Sequence, residues 1–233
     1  MKNLLVIFLS IVLVVPVFGQ TWLARYNGLA NDEDQAWDIT IDASGNVYVT
    51  GSSWGNTTSY DYATVKYNSS GVEQWVARFN GSANGSDQAR AITMNNNRIV
   101  VTGGTSDANF YTNIATISYN SDGSVAWTAY YDDPINSNDF GLALASDNSN
   151  NLYVTGYASN TNAGWDLATI KYNSTGTQQW VKTYSTTDED YGVGIAISTT
   201  GDIYVVGNSG DPYFFTWDYL TIKYNPTTGD TVW

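Results

Sequence analysis

Carboxylates supply most of the chemistry available to this sequence, because the chain contains no histidine and no cysteine. That absence excludes Ser-His-Asp and Cys-His nucleophiles and the usual zinc and copper sites. No P-loop or dinucleotide-type glycine loop is present either. What remains is acid–base chemistry between two carboxylates, such as glycoside hydrolysis. We predict a protein with no catalytic residues and no cofactor, and we keep a hydrolase that uses loop carboxylates as the alternative.

Four aspartates recur at one position of a repeating pattern: Asp34, Asp87, Asp139 and Asp190. One role for them would be a ring of carboxylates that holds a cation. Calcium needs about six to eight oxygen ligands, and the sequence has no D-x-D-x-D-G loop to gather them. We therefore predict a structural role for the four aspartates and no metal site.

Tryptophan recurs as well, at intervals of 53, 52, 53 and 53 residues: Trp22, Trp75, Trp127, Trp180 and Trp233. Between these tryptophans the phrase GNVYVTG returns as NRIVVTG, NNLYVTG and GDIYVVG. A fixed period of this length predicts an array of similar structural units. The units cover residues of about 22–74, 75–126, 127–179 and 180–232. We predict that the recurring tryptophans are structural and pack between units.

Each unit contains four short runs rich in β-branched and aromatic residues, bounded by Gly, Asn, Asp or Ser. In the first unit these runs are Trp37–Ile41, Val47–Thr50, Tyr62–Tyr67 and Glu73–Asn80. Four strands in a repeat of about 40–50 residues are typical of a β-propeller, in which one repeat forms one blade. The sequence therefore predicts an all-β protein, a β-propeller built from four four-stranded blades.

The four blades would form a closed ring or a part of a larger propeller. In a closed ring, Trp22 to Asn27 would supply the outer strand of the last blade and cover its edge. Thr231 to Trp233 begin that same strand a second time. We favour the four-blade unit, and this redundancy leaves open a fragment of a larger ring or half of a ring made by two chains.

Two segments of the first unit resemble the bacterial SBBP family, named for seven-bladed β-propeller repeats. Asp34 to Gly51 follow the pattern D-x-A-x-x-I-x-x-D-x-x-G-N-x-Y-V-T-G, and Ala63 to Trp75 follow A-T-V-K-Y-N-x-x-G-x-x-x-W. The second unit departs from it, with MNNNRI in place of the D-x-x-G-N turn. The resemblance implies a propeller in an exported bacterial protein, without a common activity. The final segment, NPTTGDTVW, resembles the tryptophan-docking motif of quinoprotein-type propellers, which implies structure and no quinone cofactor.

The first nineteen residues have the features of a secretory signal peptide. Lys2 precedes an apolar run from Leu4 to Val15, and Gly19 follows near a cleavage point. This run is too short for a bilayer span. We expect residues 20–233 to be one propeller domain that is secreted or held at the cell surface or in the periplasm, without membrane insertion.

The formal net charge of −13 repels phosphate backbones, so nucleic acid is a poor partner. We predict an exported module that binds a protein or a glycan or serves as a scaffold, and a fragment of a larger propeller with a purely structural role stays open as an alternative. The predicted turns between strands one and two and between strands three and four are short, so they share one end of the blades. The longer connections share the other end, differ between units and carry aromatic residues outside the repeat pattern. Binding residues concentrate on such loops. The candidate ligand-binding residues are Trp54, Phe110, Tyr157, Tyr213 and Phe214.

Overall fold

The computed structural model describes residues 22–135, 137–159, 164–211 and 216–233. The predicted signal peptide, Tyr213 and Phe214 lie outside the described residues. Within the described ranges, no helix has the length and apolar character needed to cross a membrane.

The described chain folds into four antiparallel sheets in which consecutive strands pair, and we call these sheets blades 1 to 4. Blade 1 contains β1 (Asp34–Ile41), β2 (Val47–Trp54), β3 (Tyr60–Tyr67) and β4 (Glu73–Phe79). Blade 2 contains β5 (Gln88–Asn95), β6 (Arg98–Ser106), β7 (Thr112–Tyr119) and β8 (Val125–Tyr131). Blade 3 contains β9 (Phe140–Ser146), β10 (Leu152–Ser159), β11 (Trp165–Tyr172) and β12 (Gln178–Tyr184). Blade 4 contains β13 (Glu189–Ile197), β14 (Ile203–Asp211) and β15 (Thr216–Tyr224).

Tight turns join the first two strands and the last two strands of a blade, as the sequence predicts. In blade 1 the Gly45 amide donates to the Asp42 carbonyl at 3.0 Å, and the Asp42 carboxylate accepts from the Ser44 and Asn46 amides at 2.9 Å. Such turns favour aspartate because its side chain accepts hydrogen bonds from backbone amides that follow it, and they favour glycine because it adopts positive φ without strain. The longer connections therefore share the opposite end of the blades, which we call the loop end.

The innermost strand of each blade contains a β-bulge that the sequence pattern does not reveal. In β1 the register shifts between Ala36 and Asp38, so Trp37 is the extra residue. Beside this bulge, a Cβ at Gly51 would collide with the Gln35 carbonyl. The close approach of two backbones explains the glycine that ends the recurring phrase GNVYVTG.

The hydrophobic core lies between consecutive blades and is built the same way three times. Blades 1, 2 and 3 each pack one face of the sheet, which we call the back face, on the opposite or front face of the next blade. Between blades 1 and 2, Tyr48 and Tyr62 of the back face contact a front face that includes Ile99, Ile117 and Tyr119. The corresponding residues of the next two junctions also form buried clusters. These three repeated interfaces hold the blades in an arc.

The predicted all-β, blade-repeat fold is confirmed, but the four sheets do not close into a ring. Within the described residues, no strand pairing joins blade 4 to blade 1. Trp22, Ala24 and Tyr26 instead pack against the front face of blade 1. At the other end, Thr231 forms an isolated bridge with Tyr224 of β15. The segment from Trp22 to Asn27 thus does not complete blade 4 as the closed-ring prediction requires, because within the described residues it forms no strand pairing with β15.

Candidate functional site

The recurring tryptophans dock on the tight turns of the following blade. The Trp75 indole N–H donates to the Ser121 carbonyl at 3.0 Å, and its ring covers Gly123 so closely that a Cβ there would lie 2.8 Å from a ring carbon. The same docking pairs Trp22 with Gly71, Trp127 with Gly176 and Trp180 with Gly229. Trp233 is exposed and contacts the Tyr204 ring at 6.1 Å. The four docked tryptophans thus have a structural role and offer little free ring surface to a ligand, whereas Trp233 is not docked in this way.

The recurring aspartates fasten the loop that enters each blade. The buried Asp87 carboxylate accepts from the Gly81 amide at 2.7 Å, the Thr105 hydroxyl at 2.5 Å and the Ser106 amide at 3.1 Å. Asp34, Asp139 and Asp190 also accept from backbone amides of their own entering loops. A carboxylate that satisfies several N–H groups is a structural cross-link between loop and strand.

Asp139 is the most perturbed of these carboxyl groups. Burial raises its pKa to about 7, and the negative charges of Asp133 and Asp132 add to that increase. Carboxylate oxygens of Asp132, Asp133 and Asp139 all lie within 4.8 Å of one another. Three carboxylates at this distance could contribute to a cation site, but Asp139 is fully buried and accepts from the amides of Asp133 and Ser159. The hydrogen-bonding capacity of Asp139 is thus used within the protein, which indicates a structural role for this carboxylate.

The predicted ligand-binding aromatics lie in different surroundings. Trp54 ends β2 with 36% of its surface exposed and contacts Tyr60 edge to face at 4.9 Å. Phe110 is 74% exposed and holds a positive φ of 65° in the turn between β6 and β7. Tyr157 lies in β10, half-buried, with its ring stacked on that of Trp165 at 4.5 Å. All three are at the loop end, but they do not form one contiguous patch.

Tyr157 belongs to a row of partly exposed rings that the sequence prediction did not assemble. We call this row the aromatic band; it consists of Phe140, Tyr157, Trp165, Tyr191 and Trp217. Successive ring centroids are 6.1, 4.5, 6.4 and 5.4 Å apart, so the band runs from blade 3 into blade 4 at the loop end. Such a row offers flat apolar surface for sugar rings or for the side chains of a partner protein.

Arg90 extends the band toward blades 1 and 2. Its guanidinium carbon lies 3.7 Å from the centre of the Trp37 ring and 5.6 Å from that of Phe140, which gives cation–π contacts on two sides. One Arg90 nitrogen donates to the Gln88 side chain at 2.9 Å, while Nε is buried without a partner. Among the described residues no carboxylate forms an ion pair with Arg90. A guanidinium without an acidic partner among the described residues, placed beside flat rings, suits a polar ligand with an acceptor group, although the buried Nε is not accessible to it.

The sequence contains a signal for this site, although it is weak. At the bulge position the other three blades carry apolar residues, Trp37, Leu142 and Val193, so the charge of Arg90 is exceptional. Trp165 and Trp217 share a repeat position with Tyr60 and Thr112. That variation between blades marks a position that blade packing does not dictate.

Comparison with known proteins supports the fold. Residues 24–56 match the model of the SBBP family, described as a beta-propeller repeat. A protein of unknown function from Bacteroides caccae has a similar structure, with a TM-score of 0.54 and 11% identity over 85% of this chain and 60% of that chain. The endo-arabinase of Bacteroides thetaiotaomicron matches with a TM-score of 0.47 and 11% identity, over 84% of this chain and 80% of that chain.

An exo-beta-1,3-galactanase from Phanerochaete chrysosporium gives a TM-score of 0.45 and 13% identity, over 85% of this chain and 53% of that chain. No curated protein sequence matches the chain. The chain spans only about 60% of the first of the three solved structures, and identities this low concern the fold alone. Residues 24–56 thus match the SBBP beta-propeller repeat, as the sequence resemblance predicts, and related segments recur in the other three blades, with MNNNRI in place of the D-x-x-G-N turn in blade 2.

Proposed function

We propose that this chain is an exported β-propeller module that binds a glycan or a protein at its loop end. The observation that carries the proposal is the aromatic band with Arg90 at one end. A row of partly exposed rings next to a cation that has no acidic partner among the described residues combines apolar contact with positive charge. Rings of this kind provide contact area at a low cost in conformational entropy. No catalytic activity is part of this proposal.

The exposed Phe110 also favours ligand binding at the loop end. A bulky residue at positive φ costs about 1–2 kcal/mol relative to a relaxed conformation, and Phe110 recovers little of that cost by packing because 74% of its surface is exposed. Strain of this kind is often kept where a side chain serves a ligand. Phe110 would then extend the binding surface beyond the band.

The proposal is tested by probing the purified protein on a glycan array and a protein array, with Trp165→Ala in the band, Arg90→Met and Phe110→Gly measured alongside. Tyr130→Ala is the matched control, because Tyr130 is an exposed ring on the outer strand of blade 2. Affinity that falls at least tenfold in the loop-end variants, with no decrease in melting temperature and with binding by the control unchanged, would support the site. Binding that survives in all three variants, or no binding to either array, would count against it.

A secreted hydrolase is the second candidate, favoured by the carboxylate cluster that includes Asp139, whose pKa is about 7. A carboxyl group that is protonated near neutral pH can act as a general acid. The burial of Asp139 is unfavourable for this role, since the group must reach its substrate. Hydrolysis of a polysaccharide panel that is lost in Asp132→Asn would favour the hydrolase over the binding module.

The ring architecture is also a proposal. A closed ring would bury the end faces of blades 1 and 4, which the described structure leaves uncovered. We propose that the four blades are part of a ring, which further blades complete.

A further inference from the structure

In the described part of the chain, no neighbouring blade covers the back face of blade 4, although Trp233 contacts Tyr204 at its outer edge. Tyr219 has the same repeat position as Tyr62, yet Tyr219 is 98% exposed and Tyr62 is 0% exposed. Thr221 is also exposed, whereas its equivalents Thr64, Thr116 and Thr169 are fully buried. Blade 4 thus presents the residues of an interblade junction without the blade that should receive them.

The front face of blade 1 is the matching uncovered surface. Ile39 is 58% exposed, while Ile92 at the same position of blade 2 is 6% exposed. A cavity of about 280 Å³ lies between this face and the segment that begins at Trp22. Its lining includes Val47, Val65 and Tyr67, which correspond to the front-face residues that receive Tyr48 and Tyr62 at the first junction. The cavity lies where the back face of a preceding blade would pack.

The segment from Trp22 to Tyr26 already lies where the outer strand of that preceding blade belongs. Trp22 covers Gly71 as Trp75 covers Gly123, and Tyr26 accepts a hydrogen bond from Arg78 at 3.1 Å. A complete blade packed in front of blade 1 would therefore need three more strands, namely the inner three. Blade 4 has three strands, and the final residues, Thr231 to Trp233, border only the Lys223–Tyr224 end of the outer edge of β15.

We propose that the back face of blade 4 docks on the front face of blade 1 of a second copy of this chain. Head-to-tail contact of this kind closes a two-chain ring when both copies use both faces. Tyr219 and Tyr204 then fill the cavity of the partner, as Tyr62 and Tyr48 fill the first junction. By analogy with the 3.3 Å bond from the Tyr62 hydroxyl to the Ala115 carbonyl, Tyr219 donates to the carbonyl of Ala63 in the second copy.

A second copy fits better than the same chain. The three junctions inside the chain have the same construction and bury the same residue types, and together they leave blade 4 without a strand pairing to blade 1. Closing a single chain on itself would require all three buried cores to shift, which close-packed interiors resist. A second copy needs no such change.

The register of the complete blades also supports the fit. In blade 1, Tyr62 to Val65 of β3 pair with Val76 to Phe79 of β4. The same register places Leu23 to Tyr26 of the second copy opposite Tyr219 to Ile222, which is the edge of β15 beyond the bridge at Thr231. Trp22 and Trp233 compete for one position, since Lys223 already bonds to Trp233 at 2.9 Å. One of these two rings must therefore move on assembly.

The test is the mass of the protein in solution by analytical ultracentrifugation over a range of concentrations. The expected result is twice the mass of one chain, falling to one chain in Tyr219→Asp and in Thr221→Asp. Both side chains are exposed in the single chain, so neither change removes a contact inside it. Tyr111→Asp, at another exposed tyrosine away from both end faces, should leave the double mass unchanged.

Two outcomes would overturn the proposal. The first is a wild-type protein with the mass of one chain at every concentration, with a melting temperature that Tyr219→Asp does not lower. The second is a single-chain mass combined with a lowered melting temperature in Tyr219→Asp, which would show that the chain closes on itself. If a variant aggregates, the wild-type mass and its dependence on concentration still decide between these outcomes.

Discussion

The backbone conformation of Phe110 suits glycine, although the residue carries a large aromatic side chain. Its φ of 65° favours glycine, and its ring is largely exposed. We therefore expect Phe110→Gly to stabilise the fold by about 1 kcal/mol, because glycine adopts positive φ without strain and little packing is lost. Urea denaturation checks this prediction. A loss of stability in Phe110→Gly would show that the ring belongs to the core and not to a ligand surface.

Asp139 makes the stability of blade 3 depend on pH in an unusual direction. Its pKa is about 7 in the folded protein, raised chiefly by burial from an ordinary value of 3.8. The favourable contribution of this carboxyl group is therefore complete below the unfolded pKa and is lost as the pH rises through the folded pKa. We predict that the advantage of the wild type over Asp139→Asn in unfolding free energy shrinks between about pH 4 and pH 7.

Asp147 provides the matched control for that titration. Its pKa is lowered by hydrogen bonds from Asn151 and Tyr153, against the opposing effect of burial, so its contribution is present above the ordinary pKa and is lost as the pH falls. The advantage of the wild type over Asp147→Asn should therefore stay nearly constant between about pH 5 and pH 7 and decrease as the pH falls below about 4. If both variants followed the same trend, burial would not be the cause of the Asp139 shift.

At the scale of elements, the docking of tryptophan on a tight turn is the contact that repeats most regularly. Gly176 has a φ of +81°, and a Cβ added there would lie 2.5 Å from the Trp127 ring. Gly201 has a similar φ of +89° with nothing within 4 Å. We predict that Gly201→Ala costs about 1 kcal/mol from backbone strain alone, and that Gly176→Ala costs roughly 1–3 kcal/mol more because the ring must move. Thermal or urea unfolding of both variants measures the difference, and equal costs would mean that the docked ring contributes no constraint.

The strands of each blade could be predicted from the sequence, because recurring phrases reveal which apolar runs are equivalent. The tight turns also followed from their Asp, Asn and Gly residues. The bulges at Trp37 and Arg90 could not be predicted, since strict alternation in β1 and β5 gives no sign of an extra residue. The aromatic band depends on those bulges and on the spacing between blades. Only Tyr157 of the band was therefore among the predicted ligand residues.

For the whole molecule, the number of blades in a ring depends on the angle between sheets, which no repeat motif encodes. The sequence therefore left the closed ring open as a prediction, and the structure shows an arc instead. The pairing of the segment from Trp22 to Asn27 could not be predicted for the same reason. Its sequence matches an outer strand, but the sequence does not determine which blade that strand joins. The exposure of residues such as Tyr219 shows that no blade covers this face in the described structure. That exposure depends on the arrangement of the sheets and cannot be read from the sequence.

Metal should not be needed for this arc to hold together. The four recurring aspartates accept hydrogen bonds from backbone amides, and these contacts do not depend on an ion. We predict that a chelator leaves the melting temperature unchanged. An ion bound at a hundred times its dissociation constant would add about 2.7 kcal/mol, so its removal would be visible in the melting curve. A clear decrease would assign a cation to the cluster of Asp132, Asp133 and Asp139.

The central claim of this account is that the end faces of the arc are the two halves of one more blade junction. Hydroxyl-radical footprinting with mass spectrometry tests it most directly, by comparing the oxidation rate of Tyr219 with those of buried Tyr62 and exposed Tyr111 in the native protein. The account predicts that Tyr219 is protected like Tyr62 at concentrations where the protein is assembled, and that dilution raises its rate toward that of Tyr111. Oxidation of Tyr219 as fast as Tyr111 at every concentration would contradict the claim.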